Sequence, residues 1–310
     1  MLRIEKYSVE KKNQWDDFVA KSLNGTFLFF RNYMDYHSHR FIDASLMIYE
    51  NDSLISIISA NNDNGTFHSH AGLSYGSFVV NEEMGATLML KIFDEVISFL
   101  RKESFTKIIN KPVPYFFHKS PCEYDLYAMF RNNFQLTRRE ISTIVPIKTA
   151  KIKNGRKSGF NYAVNHGVEL KESDDFDTFI SIANERLKEK YNEKTVHTPE
   201  EMALLKSRFP ENIKFYAAFK DSKMLGGTIM YLINNTLHAQ YIYMNDEGRK
   251  LRTLDFMMVK IVKELYAHYH YLDFGKSTEN DGLYLNGNLI KTKEEFGGTS
   301  ICYDTYSLDL

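Results

Sequence analysis

The chain has 310 residues, of which 43% are hydrophobic and 25% charged; that length suits two cores of ordinary size, and that balance excludes a disordered or low-complexity protein. Thirty-nine basic side chains against 40 acidic ones leave a formal net charge of −1, so no global field draws the protein to nucleic acid or to an anionic membrane, and any phosphate site must be local. A charged start (Arg3, Glu5, Lys6, Lys11, Lys12), no apolar run near the roughly 20 residues a membrane span requires, and two widely separated cysteines, Cys122 and Cys302, lead to the expectation of a cytoplasmic protein whose cysteines are packing residues.

Along the chain, Trp15, Phe18 and Val19 have helical spacing within Gln14–Ser22. Apolar runs at Ala44–Tyr49 and Leu54–Ala60 flank Asn51-Asp52, which predicts a hairpin. A strand is expected at Thr66–His70, running into the glycine-bearing segment Ala71–Gly76. A helix then runs from about Met84 to Lys102, with Leu88, Ile92, Val96, Phe99 and Leu100 on one side. Thr106–Asn110 returns as a strand that Pro112 and Pro114 end.

The second half repeats this order. Helices are expected at Asp174–Tyr191 and Thr198–Phe209, the latter opening on Thr198-Pro199-Glu200-Glu201, a cap followed by proline at the first helical position. Strands follow at Ile213–Phe219, Met224–Leu232 and Leu237–Met244, divided by the turn signals Asp221-Ser222 and Asn234-Asn235. A long helix from about Arg252 to His268 leads to a strand at Tyr271–Phe274. The repetition predicts two tandem layered α/β domains, residues 1–150 and 151–310, each a mixed, mostly antiparallel sheet flanked by helices. The boundary is expected near 150–159, where Lys151, Lys153, Arg156 and Lys157 interleave with Gly155 and Gly159. That basic cluster is either a solvated face or a track for an acceptor's phosphates, which makes Arg156 a candidate substrate contact.

Several segments together resemble the FemAB-like branch of the GNAT acetyltransferase superfamily: Ser69–Gly76, Arg208-Phe209-Pro210, His238-Ala239-Gln240-Tyr241, Asp273-Phe274-Gly275 with Ser277-Thr278-Glu279, and Lys293-Glu294-Glu295-Phe296-Gly297. The resemblance covers nearly the whole chain and implies a tandem double-GNAT fold. It also implies an acyl or aminoacyl donor and an amine acceptor that is often a cell-envelope precursor. In acetyl-CoA enzymes of the superfamily a glycine-rich loop after the fourth strand closes backbone N–H groups on the pyrophosphate. Here that place reads Asp246-Glu247-Gly248-Arg249-Lys250-Leu251-Arg252 with one glycine. Gly248 with the cationic Arg249, Lys250 and Arg252 is the candidate phosphate grip, and the degenerate loop is what FemAB relatives, whose donor is aminoacyl-tRNA, lead one to expect.

Acylating an amine needs a base, donors for the oxyanion and help for the leaving group. Asp273 and Glu279 are the candidate bases. Lys293, from its match to the family's Lys-x-x-Phe-Gly element, offsets leaving-group charge, with Tyr241 also in the catalytic set. Backbone N–H groups at Ile242–Met244 are the oxyanion donors that the resemblance implies. Simple alternation puts His238, Gln240 and Ile242 on one face of their strand; His238 and Gln240, with His70 and Tyr75 from the first half, are candidate substrate contacts. The triplets His37-Ser38-His39 and His68-Ser69-His70 invite a metal reading, but no third ligand stands at suitable spacing, and no metal is expected. The leading functional expectation is transfer from acetyl-CoA or another acyl-CoA to a small or nucleotide-linked amine, with an amino sugar of a surface polysaccharide precursor as the expected acceptor. Two rivals stand beside it: aminoacyl transfer from tRNA to a peptidoglycan-type precursor, and a non-catalytic double-GNAT binding scaffold.

Overall fold

The computed structural model describes residues 2–310. Two compact units emerge: one comprises Met1–Glu140, Asn280–Tyr284 and Cys302–Leu310, the other Ile141–Glu279 and Leu285–Ile301. The expected division at residue 150 did not anticipate that the last residues return to the first unit. Their strand, Thr299–Asp309, pairs antiparallel with Lys107–Asn110 through Tyr306 to Asp309, a long-range pairing that no local pattern announces.

In the first unit, strands Leu2–Lys6, Leu46–Glu50, Ser53–Ile58 and Phe78–Val80 form an antiparallel four-stranded sheet. Asn51 and Asp52, at φ of 48° and 67°, make the tight turn between the middle pair, because both residue types tolerate the left-handed region that such a hairpin demands. Helix Ala86–Lys102 buries Met89, Ile92, Phe93, Val96, Ile97 and Leu100 against this sheet. Helix Lys12–Lys21 buries Trp15 and Val19, with the indole N–H donating to the Phe29 carbonyl at 2.8 Å.

The expected strand at Thr66–His70 ends at His68. His70 turns out of it at φ 60°, and His37 sits at a kink, at φ −119° and ψ 24°, within the short helical segment Asp35–Arg40, not on a strand. The two triplets do meet, with the rings of His37 and His70 at 5.3 Å and Phe41 against both. Among the described residues no group of three His, Cys, Asp or Glu side chains is gathered to hold a metal.

The second unit carries its sheet in the order Glu169–Glu172, Ile213–Lys220, Lys223–Ile233, Thr236–Met244, Tyr271–Lys276 and the end of Gln135–Pro146. All neighbours are antiparallel except Thr236–Met244 and Tyr271–Lys276. Around it pack helices Asn154–Asn165, Phe176–Tyr191, Pro199–Arg208 and Thr253–Lys260. The Thr198 hydroxyl accepts from the Glu201 N–H while the Glu201 carboxylate accepts from the Thr198 N–H, a complete capping box ahead of Pro199. The predicted helix 252–268 is shorter than expected: beyond Lys260 it widens into a π turn, Ile261–Leu265, closed by Tyr266 N–H to the Ile261 carbonyl. That widening carries the Tyr266 ring toward Tyr216, the two hydroxyls 2.7 Å apart. No helix among the described residues is long and apolar enough to cross a membrane.

Two buried groups of the first unit contribute to its response to acid with opposite signs. Burial, reinforced by His37, Lys111 and Arg31, pushes the His70 imidazole down to about 3, so the unfolded chain takes up a proton near pH 6.5 that the folded one refuses. Stability from this site is complete above pH 6.5 and is lost as pH falls from there toward 3. Full burial pushes Asp125 up to about 6 despite the hydroxyl that Ser77 donates to it; its penalty is present above pH 6 and is relieved as pH falls, the opposite sign. Urea unfolding between pH 7 and 4 should therefore show a shallower acid loss for His70→Asn, which tolerates the positive φ, and a steeper one for Asp125→Asn.

Candidate active site

Strands Thr236–Met244 and Tyr271–Lys276 pair in parallel only through Thr236↔Tyr271, Leu237↔Leu272 and His238↔Asp273. Beyond that last pair they no longer pair with each other. On its other side, Thr236–Met244 pairs with Lys223–Ile233, and there Ile229 faces Tyr241 while Met230 faces Ala239. Gln240 is thus the extra residue of a β-bulge, and it resets the side-chain alternation. Cross-strand partners share a face, so Ala239 and Ile242 lie with Met230 and Thr228, whereas His238 and Tyr241 lie with Tyr231 and Ile229. The simple alternation that grouped His238 with Ile242 is corrected by this one residue.

Asp273 sits at the point of divergence, 0% exposed. Its Oδ1 accepts from the Ser142 hydroxyl at 2.5 Å and the Gly275 N–H at 3.0 Å, and its Oδ2 lies 2.7 Å from His238 Nδ1. A buried carboxylate is tolerated only when donors of this kind surround it. Burial denies Asp273 contact with any substrate, so it acts on its neighbours rather than as the base the sequence nominated. Gly275, at φ 73°, turns the chain in the left-handed region and so presents its N–H to Asp273 and its carbonyl to Lys293.

Lys293 lies in helix Gly287–Glu294 and is 7% exposed. Its ammonium donates to the carbonyls of Gly275 and Lys276, both at 2.7 Å. Burial pushes it down to about 8, with Asp273 opposing the shift. It is a fixed, partly titratable charge, not a solvated surface lysine. Two of its three N–H groups are committed to carbonyls, and the side chain lines a cavity of about 540 Å³.

That cavity gathers more of the sequence candidates. Gln240, Tyr241, Ile242, Met244, Arg249 and Lys293 all line it, together with Arg186, Lys190 and the apolar Leu254, Leu289 and Phe296. Four cationic side chains and no carboxylate line it, although Arg186 and Arg249 each pair with a carboxylate outside the lining, Glu189 and Asp246. The Tyr241 hydroxyl lies 2.7 Å from Nδ1 of the buried His197. Sequence reasoning missed His197, Arg186 and Lys190. The last two had a signal, being four residues apart on one face of a helix; His197, outside any periodic segment, had none.

Other candidates are placed elsewhere. Lys250 lines a second cavity of about 560 Å³ with Glu185, Glu189, Asp246 and Glu247. Gly248 is buried where the short helix Asp246–Lys250 crosses strand Lys223–Ile233: a Cβ there would stand 2.5 Å from the Leu225 carbonyl oxygen. Its N–H donates to the Asn245 side chain, which caps the helix, so close packing and capping, not a phosphate, account for this glycine. Arg252 pairs with Asp255 at 2.6 Å. Arg156 bridges Asp255 at 2.7 Å and Glu295 at 2.9 Å; its charge is spent tying helix Asn154–Asn165 into the unit. Glu279 is exposed and accepts from the Asn286 amide, away from the cavity lining. In the first unit His70 is buried, and Tyr75, 2% exposed, packs on Phe29 and Phe117 with its hydroxyl donating to Thr26. Tyr75 is a core residue and does not line a groove.

Two neighbouring parallel strands thus diverge beside a bulge, with a cationic cavity lined by the first of them past the divergence. Residues 148–281, a little under half of the chain, match the family model described as an acetyltransferase (GNAT) domain, and that match supports an acyltransferase. Its fold is the FemAB-like tandem GNAT arrangement. The structure of FemX superposes with a TM-score of 0.70 at 10% identity, covering 99% of this chain and 97% of that one. The C-terminal domain of a putative lysylphosphatidylglycerol synthetase from Agrobacterium fabrum gives 0.63 at 11%, covering 96% and 91%. A tandem GNAT protein from the clavulanic acid biosynthesis pathway gives 0.51 at 11%, covering 100% and 98%. No curated protein matches the sequence.

Gly248→Ala should lower stability by about 1–3 kcal/mol, the cost of forcing extra volume into a packed site, in urea unfolding without any ligand. A variant as stable as wild type would return this glycine to a ligand-binding role.

Proposed function

We propose that this protein acylates an amine in the cavity of its second unit, taking the acyl group from an aminoacyl-tRNA. The observation that carries the choice of donor is the segment after strand Thr236–Met244. A diphosphate cradle needs open backbone N–H groups at a helix N-terminus. Here the helix is capped by its own Asn245, and Asp246 and Glu247 occupy its first turn, a charge pattern that repels phosphate. The residues present do not fit the diphosphate of acyl-CoA in that mode, which displaces the acyl-CoA expectation from first place. The cationic lining of the neighbouring cavity offers side-chain contacts to an anionic donor instead, through Arg186, Lys190 and Arg249. The fold shared with FemX and with the C-terminal domain of a putative lysylphosphatidylglycerol synthetase accords with this reading. The acceptor is then an amine of a cell-envelope precursor, and the two free cysteines accord with work in the cytoplasm. Acylation of an amino sugar from acyl-CoA is the second reading, supported by the family model, whose description is that of acetyltransferases.

In the reaction the acceptor nitrogen attacks the ester carbonyl, a C–N bond forms, and the C–O bond to the donor's ribose breaks. Lys293 holds positive charge beside this event. Its ammonium is pinned by two carbonyls, so little reorganisation opposes its third N–H as negative charge develops on the carbonyl oxygen or the departing alkoxide.

Thermal shift separates the two donors: a native-state ligand raises the melting temperature by mass action, and aminoacyl-tRNA is expected to do so where acetyl-CoA and CoA do not. A shift with acetyl-CoA alone would replace the first reading by the second. Arg186→Ala and Arg249→Ala should each weaken donor binding about tenfold or more, the worth of a hydrogen bond to a charged group, while Lys250→Ala, facing the other cavity, should not.

Lys293→Met should cut turnover per folded molecule about a hundredfold. It should also destabilise, because two buried carbonyls lose their donor at roughly 1–3 kcal/mol each. Wild-type turnover should fall as pH rises through about 8, where Lys293 loses its charge; a flat profile from pH 7 to 9 would remove Lys293 from the mechanism.

A further inference from the structure

From Ile141 to Val168 the chain has no acidic residue, yet Lys148, Lys151, Lys153, Arg156 and Lys157 fall within it, in a protein whose net charge is −1. Arg156 is occupied by Asp255 and Glu295. The four lysines are exposed, and none of them pairs with a carboxylate among the described residues. Lys153, the residue before helix Asn154–Asn165, and Lys157 stand one helical turn apart. Like charges so placed repel and weaken a helix on its own; an anion laid across both reverses the sign of that interaction.

The same helix carries an aromatic platform. It buries Gly159 and Ala163 and leaves Ser158, Asn161, Tyr162 and Asn165 at the surface. Tyr162 is 44% exposed, and its ring stacks on that of His166 with centres 3.9 Å apart and planes at 29°. His166 Nδ1 donates to the Tyr162 carbonyl at 2.8 Å, which holds the imidazole in place. An ordered aromatic face beside unpaired cations suits single-stranded nucleic acid, with phosphates on the lysines and a base on the ring. The hydroxyl and amides between them are donors for phosphate and ribose oxygens. At its other end the basic run meets the cavity. Lys153 N–H donates to the Glu295 carbonyl at 2.9 Å, and a Cβ on Gly297 would stand 2.7 Å from the Lys151 nitrogen. The Arg156 guanidinium lies 5.1 Å from the ring centre of Phe296, which lines the cavity.

We propose that the RNA of the donor leaves the cavity past Phe296 and runs over the exposed surface of helix Asn154–Asn165, its phosphates on Lys151, Lys153 and Lys157 and a base stacked on Tyr162. This rests on the aminoacyl-tRNA reading above. A helix of 12 residues is about 18 Å long, more than the diphosphate of a nucleotide-linked acceptor spans, whereas a strand of several nucleotides follows it. A lipid surface fits this helix less well. Membrane association of a helix needs an apolar face, and the large apolar side chains exposed here are Tyr162 and Val164, set among lysine, serine and asparagine.

Fluorescence anisotropy with a bulk deacylated tRNA pool reads this surface directly. Lys151→Gln, Lys153→Gln and Lys157→Gln combined should weaken binding about tenfold or more at about 50 mM salt. They should also lower the slope of log Kd against log salt by about 2, the loss of three phosphate contacts to a single strand. Arginine at the same three positions should keep the wild-type slope. Glutamine at Lys21, Lys91 and Lys102, exposed lysines of the first unit, removes the same charge and should leave affinity and slope unchanged. Tyr162→Ala should weaken binding about tenfold with the slope kept, because stacking releases no counterions. Melting temperatures should match wild type, since every substituted side chain is exposed. If wild type binds tRNA and the glutamine and alanine variants of the helix bind it equally well, the surface proposal fails alone. If wild type binds no tRNA, the donor reading beneath it fails as well. Should the triple glutamine variant keep its tRNA affinity but lose binding to phosphatidylglycerol vesicles or to a UDP-linked precursor peptide, the surface serves a lipid or the acceptor, and the proposal is overturned.

Discussion

A carboxylate out of contact with water organises the candidate active site. Asp273 cannot stay charged inside a core without donors, and the chain supplies three: a hydroxyl from strand Gln135–Pro146, a backbone N–H from its own turn, and an imidazole from the neighbouring parallel strand. Each donor is constrained in turn. Ser142 holds its strand's place beside Tyr271–Lys276, Gly275 must adopt a positive φ, and His238 must face Asp273 at the end of the parallel pairing. Removing the carboxylate would take from all three donors the acceptor they share, so the parting of the strands and the electrostatics of the opening are one arrangement.

The opening is polarised by how its helices are used. On one side of Arg186 and Met244 the cavity wall carries cations without carboxylates; on the other, Glu185, Glu189, Asp246 and Glu247 gather around Lys223 and Lys250. A helix N-terminus that closes on phosphate leaves its first N–H groups open and its first turn neutral. This one is filled by the Asn245 cap and by two acids. The short helix stabilises itself and packs its glycine against Leu225, and anion recognition moves from backbone to side chains.

Much of the architecture was legible because it follows from local relations. The helix periods at Lys12–Lys21 and Ala86–Lys102, the capping box at Thr198 and the turns at Asn51-Asp52 and Asn234-Asn235 depend on residues within a few positions of one another. Of the residues that the resemblance motifs or the adjoining segment supplied, Gln240, Tyr241, Ile242, Met244 and Lys293 line one cavity with Arg249. Tyr75 and Arg156 were misread for one reason. An aromatic in a polar, glycine-bearing segment and an arginine in a basic cluster look available until the chain folds, and then one sits in an aromatic core and the other between two carboxylates.

By itself, the sequence determined the strongly patterned helices and strands, the tandem repetition of an α/β unit, and the residue types from which a site could be made, because propensity, periodicity and capping act over one or two turns of chain; strands Leu2–Lys6, Gln135–Pro146 and Thr299–Asp309 and helices Asn154–Asn165 and Gly287–Glu294 it did not announce. Tertiary structure alone decided which of those residues are reactive. Asp273 meets His238 across 35 positions and Ser142 across 131, a single unpaired residue at Gln240 turns Ile242 to the other face, and Lys293 passes from a lysine-rich stretch into a buried cradle of carbonyls. Burial and pairing depend on what distant segments bring to the same point, and the ionisation of a side chain is set by that company, not by its neighbours in sequence.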